Sequence, residues 1–113
     1  MKVLVTSQGD SVEALADERF GRAAYFIIFE ENNNNPRVMR NPGYRVDQGA
    51  GVVASQAVNE EKVDVVITGH LGPHALSSLQ AAGVAAYRLP GEVSVKAAYE
   101  AFLADRLEAL LTQ

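Results

Sequence analysis

The sequence predicts an α/β fold: a three-layer α/β/α arrangement in which a five-stranded mixed sheet carries helices on both faces. Three observations carry this prediction. In the second half, short β-branched runs alternate with helix-period segments, the pattern of βαβ units. In the first half, an aromatic run and a polar Asn/Pro tract add an antiparallel hairpin. At 113 residues the chain is near the modal size for one domain, so residues 1–113 are expected to fold over one core.

The elements follow in order. Val3, Leu4 and Val5 form a β-branched-rich run, Lys2 to Thr6, that stops at the turn formers Ser7-Gln8-Gly9-Asp10, so a buried first strand and a loop are expected. Ser11 to Asp17 is expected to form about one helical turn. Ala23 to Phe29, dense in aromatic and branched residues, is the second strand. Glu30 to Pro36 is polar and turn-prone and reads as a hairpin tip, making Arg37 to Arg40 a short antiparallel edge strand. Asn41 to Gly49 has Pro, Gly and polar residues without periodicity and is expected to be a mobile surface loop.

After Gly49-Ala50-Gly51, the spacing of Val52, Val53, Gln56, Ala57 and Val58 suits a helix packed closely on a sheet. Val63 to Gly69 is a nearly all-apolar strand, and Pro73 to Ala82 is a helix that Pro73 opens and Gly83 ends. Val84 to Tyr87 is the fifth strand. Val93 to Leu103 forms the last amphipathic helix, with an expected continuation toward Leu111. Such mixed sheets occur among ribonuclease H-like folds, and the pattern alone leaves a flavodoxin-like order open.

Composition removes several classes of function. Ten basic against fourteen acidic residues give a formal net charge of −4, so no global positive field gathers nucleic acid or anionic lipid. With no cysteine there is no disulfide, thiolate nucleophile or Cys-held iron–sulfur cluster. The apolar run at Met1 to Thr6 is too short for a secretory signal, and no stretch approaches the ~18 apolar residues of a membrane span, so the cytoplasm is the expected location.

Three segments could carry chemistry. Gly69-His70-Leu71-Gly72-Pro73-His74 places two glycines and two imidazoles between a strand end and a helix start, where ligands collect in open α/β sheets. The helix start favours an anion, and neutral imidazole ligates iron or zinc, so His70 and His74 are the candidate metal ligands. Two histidines without a third ligand are an incomplete site, and the pattern equally fits polar loop residues. Gly49-Ala50-Gly51 opens a helix and would let a ligand approach the backbone, although close helix–sheet packing explains the glycines too; it is neither a dinucleotide fingerprint nor a Walker loop.

Arg19-Phe20-Gly21-Arg22 is a compact basic and aromatic patch whose guanidiniums could clamp a multiply charged anion. Alternatively, Phe20 fills the core, Gly21 makes a turn, and the arginines pair with Asp17 or Glu18. Nuclease chemistry is excluded by the first strand, which carries no carboxylate for a metal. No G-x-S-x-G nucleophile elbow occurs.

In sequence, Arg19-Phe20-Gly21-Arg22, the Phe-rich strand, Asn41-Pro42, Gly49-Ala50-Gly51, Val63 to Gly69 with Leu71-Gly72-Pro73-His74-Ala75, and Ala82-Gly83-Val84 with Tyr87 resemble the dinitrogenase iron–molybdenum cofactor biosynthesis family of NifX, NifY and C-terminal NifB type. The resemblance spans almost the whole chain. It implies a ribonuclease H-like sheet and noncatalytic binding or transfer of the iron–molybdenum cofactor or an iron–sulfur precursor cluster, not covalently attached. Cofactor-biosynthesis proteins are the implied partners. The implied cofactor-binding residues are Arg19, Arg22, Gly49, Gly51, His70, Gly72 and His74, with His70 and His74 on the metal and Tyr44 to Gln48 as a flap. A small interaction or regulatory domain without metal is the competing reading; an enzyme acting on a small anion has no acid–base pair to support it.

Overall fold

Among the described residues, three strands are followed by alternating helices and strands: β1 (Lys2–Ser7), β2 (Tyr25–Glu30), β3 (Arg37–Arg40), α1 (Ala50–Glu60), β4 (Val65–Thr68), α2 (Pro73–Ala81), β5 (Ala85–Arg88), α3 (Val95–Leu103) and β6 (Ala109–Leu111). The structure is a computed structural model that describes residues 1–31 and 35–112. The strands form one mixed sheet in the order β3-β2-β1-β4-β5-β6. β1 pairs antiparallel with β2 and parallel with β4, and β5 continues the parallel set beyond β4. β3 and β6 are added antiparallel at the two edges.

The period-2 alternation of the central strands assigns each side chain to a face. Leu4, Phe26, Ile28, Val66 and Ala86 point to one side, where they meet Ala54, Ala57 and Val58 of α1 and Ala75 and Leu79 of α2. Val3, Val5, Ile27, Val65 and Ile67 point to the other, where Val95 and Ala98 of α3 close the layer. Helices therefore cover both faces, and burial of each large side chain contributes about 1.5–3 kcal/mol. Near the margin of the second layer, Phe29 stacks on Tyr99 at 4.0 Å between ring centres. Among the described residues no helix is long and apolar enough to cross a membrane.

Four expectations are corrected. The sheet has six strands, not five, because the last helix stops at Leu103 and does not run on toward Leu111. Asp105 takes a left-handed backbone (φ 58°), which Asp tolerates better than branched residues, and the chain turns back so that β6 pairs with β5. Leu110 and Leu111 then pack against the α1/α2 layer, a gain that a solvent-exposed helical extension would lack.

The turn expected at Ser11 to Asp17 shrinks to one bond, from the Ala14 N–H to the Ser11 carbonyl. The following residues are extended and bridge Leu15 to Ser94 and Ala16 to Ser7. The second strand begins at Tyr25 rather than Ala23. The loop from Asn41 to Gly49 is not wholly at the surface, since Asn41 and Gly43 are buried. Residues 32–34 of the expected hairpin tip lie outside the described residues.

One consequence of the topology positions the site. β1 and β4 run parallel, so their carboxyl ends lie at the same edge of the sheet. α2 starts at that edge because it follows β4, and α1, which feeds β4 through the short segment 61–64, runs back from it. Both helix N-termini consequently face the carboxyl ends of the central strands.

Candidate functional site

A cleft of about 390 Å³ opens at this edge, and all seven residues singled out from the sequence line it: Arg19, Arg22, Gly49, Gly51, His70, Gly72 and His74. Three segments make its walls: residues 19–22, the start of α1, and the turn from β4 into α2. Phe20 is the root of the first wall. It is 2% exposed and lies over Phe26 with ring centres 6.0 Å apart, so the flanking arginines are turned outward.

The wall at residues 17–19 is fastened to the ends of β1 and β4. Buried Thr6 donates its Oγ1 to the Asp17 carbonyl at 2.5 Å and lies 2.9 Å from the Thr68 hydroxyl. The N–H groups of Gly69 and His70 both donate to the Glu18 carbonyl, at 3.0 and 2.8 Å, setting Arg19 beside His70 as a parallel bridge. This approach requires glycine at 69, because a Cβ there would lie 2.6 Å from the Glu18 Cβ and 2.9 Å from the Glu18 carbonyl oxygen.

A second anchor was not visible from the sequence. Asn41, 3% exposed, directs its Nδ2 at the carbonyls of Phe20, Gly21 and Ala23, at 3.1, 3.1 and 2.9 Å. Its Oδ1 accepts from the Gly43 N–H at 2.9 Å. Gly43 is wedged between two walls, where a Cβ would meet the Ala50 carbonyl at 2.6 Å and the Gly21 carbonyl at 2.7 Å. The Asn41-Pro42-Gly43 turn thus fastens residues 20–23 to the start of α1. The signal present in the sequence was a turn; its partner lies about twenty positions upstream, and no periodicity reports such a contact.

The electrostatics are one-sided. No carboxylate lines the cleft among the described residues. Neither α1 nor α2 has an acidic residue in its first turn or a side chain capping it. The first intrahelical bonds go from Val53 to the Gly49 carbonyl and from Leu76 to the Gly72 carbonyl, so the N–H groups of the preceding first turns have no partner within their helices. Two positive helix ends therefore converge on one space in a protein of net charge −4.

The two arginines differ. Arg19 forks onto Asp17, with Nε 3.1 Å from Oδ1 and Nη2 2.9 Å from Oδ2, and its own N–H adds a third bond to Oδ1. Asp17 is 3% exposed and Arg19 stays largely in solvent. The hydrogen bond to Asp17, and then the charge of that carboxylate, hold the Arg19 guanidinium above its ordinary pKa. Arg22 instead donates to two main-chain carbonyls, those of Val46 and Asp47, and its charge meets no carboxylate among the described residues. Of the pair, Arg22 carries the charge that an anion in the cleft could use.

This separation makes a prediction. Arg19→Ala leaves the buried Asp17 carboxylate with only the main-chain N–H of residue 19 on Oδ1 and is expected to lower unfolding free energy by about 1–2 kcal/mol, the low end of the cost of an orphaned buried acceptor, because Arg19 is solvent-screened. Arg22→Ala, which releases two charge-assisted bonds but leaves behind a part-buried and an exposed carbonyl that water can reach, is expected to lower it by about 1–1.5 kcal/mol. Urea midpoints of the two variants check both.

His70 and His74 are exposed on the cleft, one after β4 and one in the first turn of α2. No group of three or more His, Cys, Asp or Glu side chains that could hold a metal ion occurs among the described residues. The histidines alone do not complete a coordination sphere, and an incoming metal centre would have to bring the remaining ligands itself.

Comparison with known proteins bears on this geometry. Residues 1–105 match the family described as dinitrogenase iron-molybdenum cofactor. The apo form of the orange protein from Desulfovibrio gigas superposes with a TM-score of 0.88 at 32% identity, covering 96% of this chain and 91% of that one. A Thermotoga protein described as a candidate NifB protein superposes with a TM-score of 0.84 at 32% identity, covering 99% of this chain and 95% of the other. No curated protein sequence matches. A family match across nearly the whole length, supported by two solved folds of similar size, leads to one conclusion: the chain belongs to the dinitrogenase iron-molybdenum cofactor family.

Proposed function

We propose that the chain binds and carries an anionic metal cluster, of iron–sulfur or iron–molybdenum type or a precursor of one, during cofactor biosynthesis, without catalysing a reaction on it. The observation that carries this reading is the cleft itself: about 390 Å³, free of carboxylates, facing two uncapped helix N-termini, with an unneutralised Arg22 and two exposed imidazoles. The helix ends and Arg22 offset the cluster's negative charge, and His70 and His74 offer nitrogen ligands at its edge. The chain has no cysteine, so no thiolate holds the cargo, and exchange with a donor or acceptor protein stays easy. The family, and the description of the Thermotoga relative as a candidate NifB protein, support a place in cofactor biosynthesis.

The same reading takes residues 1–113 as one domain working in the cytoplasm. Its first five strands, in the order β3-β2-β1-β4-β5, support a ribonuclease H-like assignment of the sheet, with β6 as an added edge. A small interaction domain is the second reading. It is favoured by the uncharged groove of about 500 Å³ between α1 and α2, lined by residues such as Val52, Gln56, Asn59 and Ser78.

The deciding experiment is anoxic incubation of the purified protein with ferrous iron, sulfide and molybdate, followed by gel filtration and metal analysis. Carriage predicts metal that co-elutes with the protein in fixed proportion. Metal-free protein would remove the carrier reading and leave the interaction domain.

A further inference from the structure

We infer that Arg22 is a latch coupling occupancy of the cleft to the position of the strap at residues 44–48. The inference rests on the anion-binding reading of the same cleft, and it adds a way for another protein to distinguish the loaded from the empty carrier.

The strap is held very differently at its two ends. At one end Gly43 is buried and pressed between the Ala50 and Gly21 carbonyls, with Asn41 bonded to three carbonyls behind it. This end does not move without breaking the cleft wall. At the other end Gly49 is exposed in a left-handed conformation, φ +74°, and a Cβ placed on it would meet no atom within 4 Å. The strap therefore has a fixed root and a hinge.

Between these ends, Tyr44, Arg45, Asp47 and Gln48 are exposed. Two backbone bonds, Tyr44 N–H to the Asn41 carbonyl and Val46 N–H to the Gly43 carbonyl at 3.4 Å, stay within the turn itself. The bonds that tie the strap to the body of the protein come from Arg22, whose Nη1 donates to the Val46 carbonyl and whose Nη2 donates to the Asp47 carbonyl at 3.2 Å. One guanidinium holds the strap from across the cleft rim.

That guanidinium also lines the cleft. Its present acceptors are neutral carbonyls, and an anionic acceptor adds the attraction between opposite charges to the hydrogen bond. An anion in the cleft therefore competes with Val46 and Asp47 for the same donors, and Arg19 is the weaker competitor because its Nε and Nη2 already bond Asp17, whose charge offsets its own. When Arg22 turns to the cargo, the strap loses its attachment and swings about Gly49. Loading is thereby displayed at a surface outside the cleft.

The strap carries its own reporter, since trypsin cleaves after the exposed Arg45, and the scissile bond adjoins the Val46 carbonyl that Arg22 holds. The experiment compares the initial rate of cleavage after Arg45 with that after Arg106, also exposed, so that any global loosening cancels. Wild type, Arg22→Gln and Arg22→Lys are measured without and with iron, sulfide and molybdate, and retained metal is counted in the same samples.

The latch predicts that Arg22→Gln raises the Arg45/Arg106 ratio about tenfold with no metal present, as expected for loss of a charge-assisted pair of bonds. Arg22→Lys, which keeps the charge but not the fork, falls between. Loaded wild type approaches the Arg22→Gln ratio. If both variants cleave at the wild-type ratio, the latch is overturned whatever the metal does. If wild type retains metal and its ratio stays at the empty value, the coupling is overturned. If wild type retains no metal, the carrier reading falls, while the metal-free comparison of the variants still decides whether Arg22 holds the strap.

Discussion

Asn41→Ala is expected to lower unfolding free energy by about 2–4 kcal/mol, the cost of stranding several buried main-chain groups at once. Its amide donates to three carbonyls and accepts from one N–H, and it is 3% exposed, so water cannot replace those partners without opening the wall. Asn41→Asp is the sharper control. It preserves shape and the acceptor for the Gly43 N–H, yet turns a carboxylate oxygen toward the Phe20, Gly21 and Ala23 carbonyls, so it should be at least as damaging as alanine. Urea denaturation of both variants measures this. An Asn41→Ala midpoint equal to wild type would mean that the turn does not carry the wall.

The second large effect concerns binding rather than folding. Replacing His70 and His74 together by alanine is expected to reduce retained metal by about tenfold or more, equivalent to about 1.4 kcal/mol or more of binding free energy. Stability should change by less than about 0.5 kcal/mol, because both histidines are exposed and neither side chain is hydrogen-bonded among the described residues. The two readouts are needed together. Loss of metal with an unchanged urea midpoint assigns the imidazoles to the cargo, whereas a parallel fall in stability would make the loss indirect. Unchanged retention would leave the helix N-termini and Arg22 as the whole site.

Much of this arrangement was legible in the sequence for a physical reason. β4 and α2 are set by local signals, an apolar run and a Pro-opened helix, and a ligand cleft at the carboxyl end of a parallel strand follows from their order. The turn from β4 into α2 could therefore be read as a candidate wall from six consecutive residues. Convergence of that turn with residues 19–22 and 49–51 depended on a resemblance, because contacts across β1 and β4 join positions about fifty residues apart.

What escaped the sequence was decided by such long-range contacts. The periodicity of the last helix carries the expectation on toward Leu111, where β6 stands instead; the left-handed turn at Asp105 and pairing with β5 prevail over it. Asn41 looked like an ordinary turn former because its partners lie twenty residues away. The roles of the two arginines could not be separated either. The fork of Arg19 onto Asp17 is local, two residues apart, but the hold of Arg22 on Val46 and Asp47 exists only once the strap is folded back.

Whether the cleft between residues 19–22, the start of α1 and the turn before α2 receives the cargo is decided by amide spectra of the ¹⁵N-labelled protein before and after anoxic loading with iron, sulfide and molybdate. Resonances of residues 19–22, 49–52 and 70–75 are expected to shift or broaden together with those of the strap, while the α3 face stays unchanged. Shifts concentrated instead in the groove between α1 and α2, around Gln56, Asn59 and Ser78, would contradict cargo binding in the cleft.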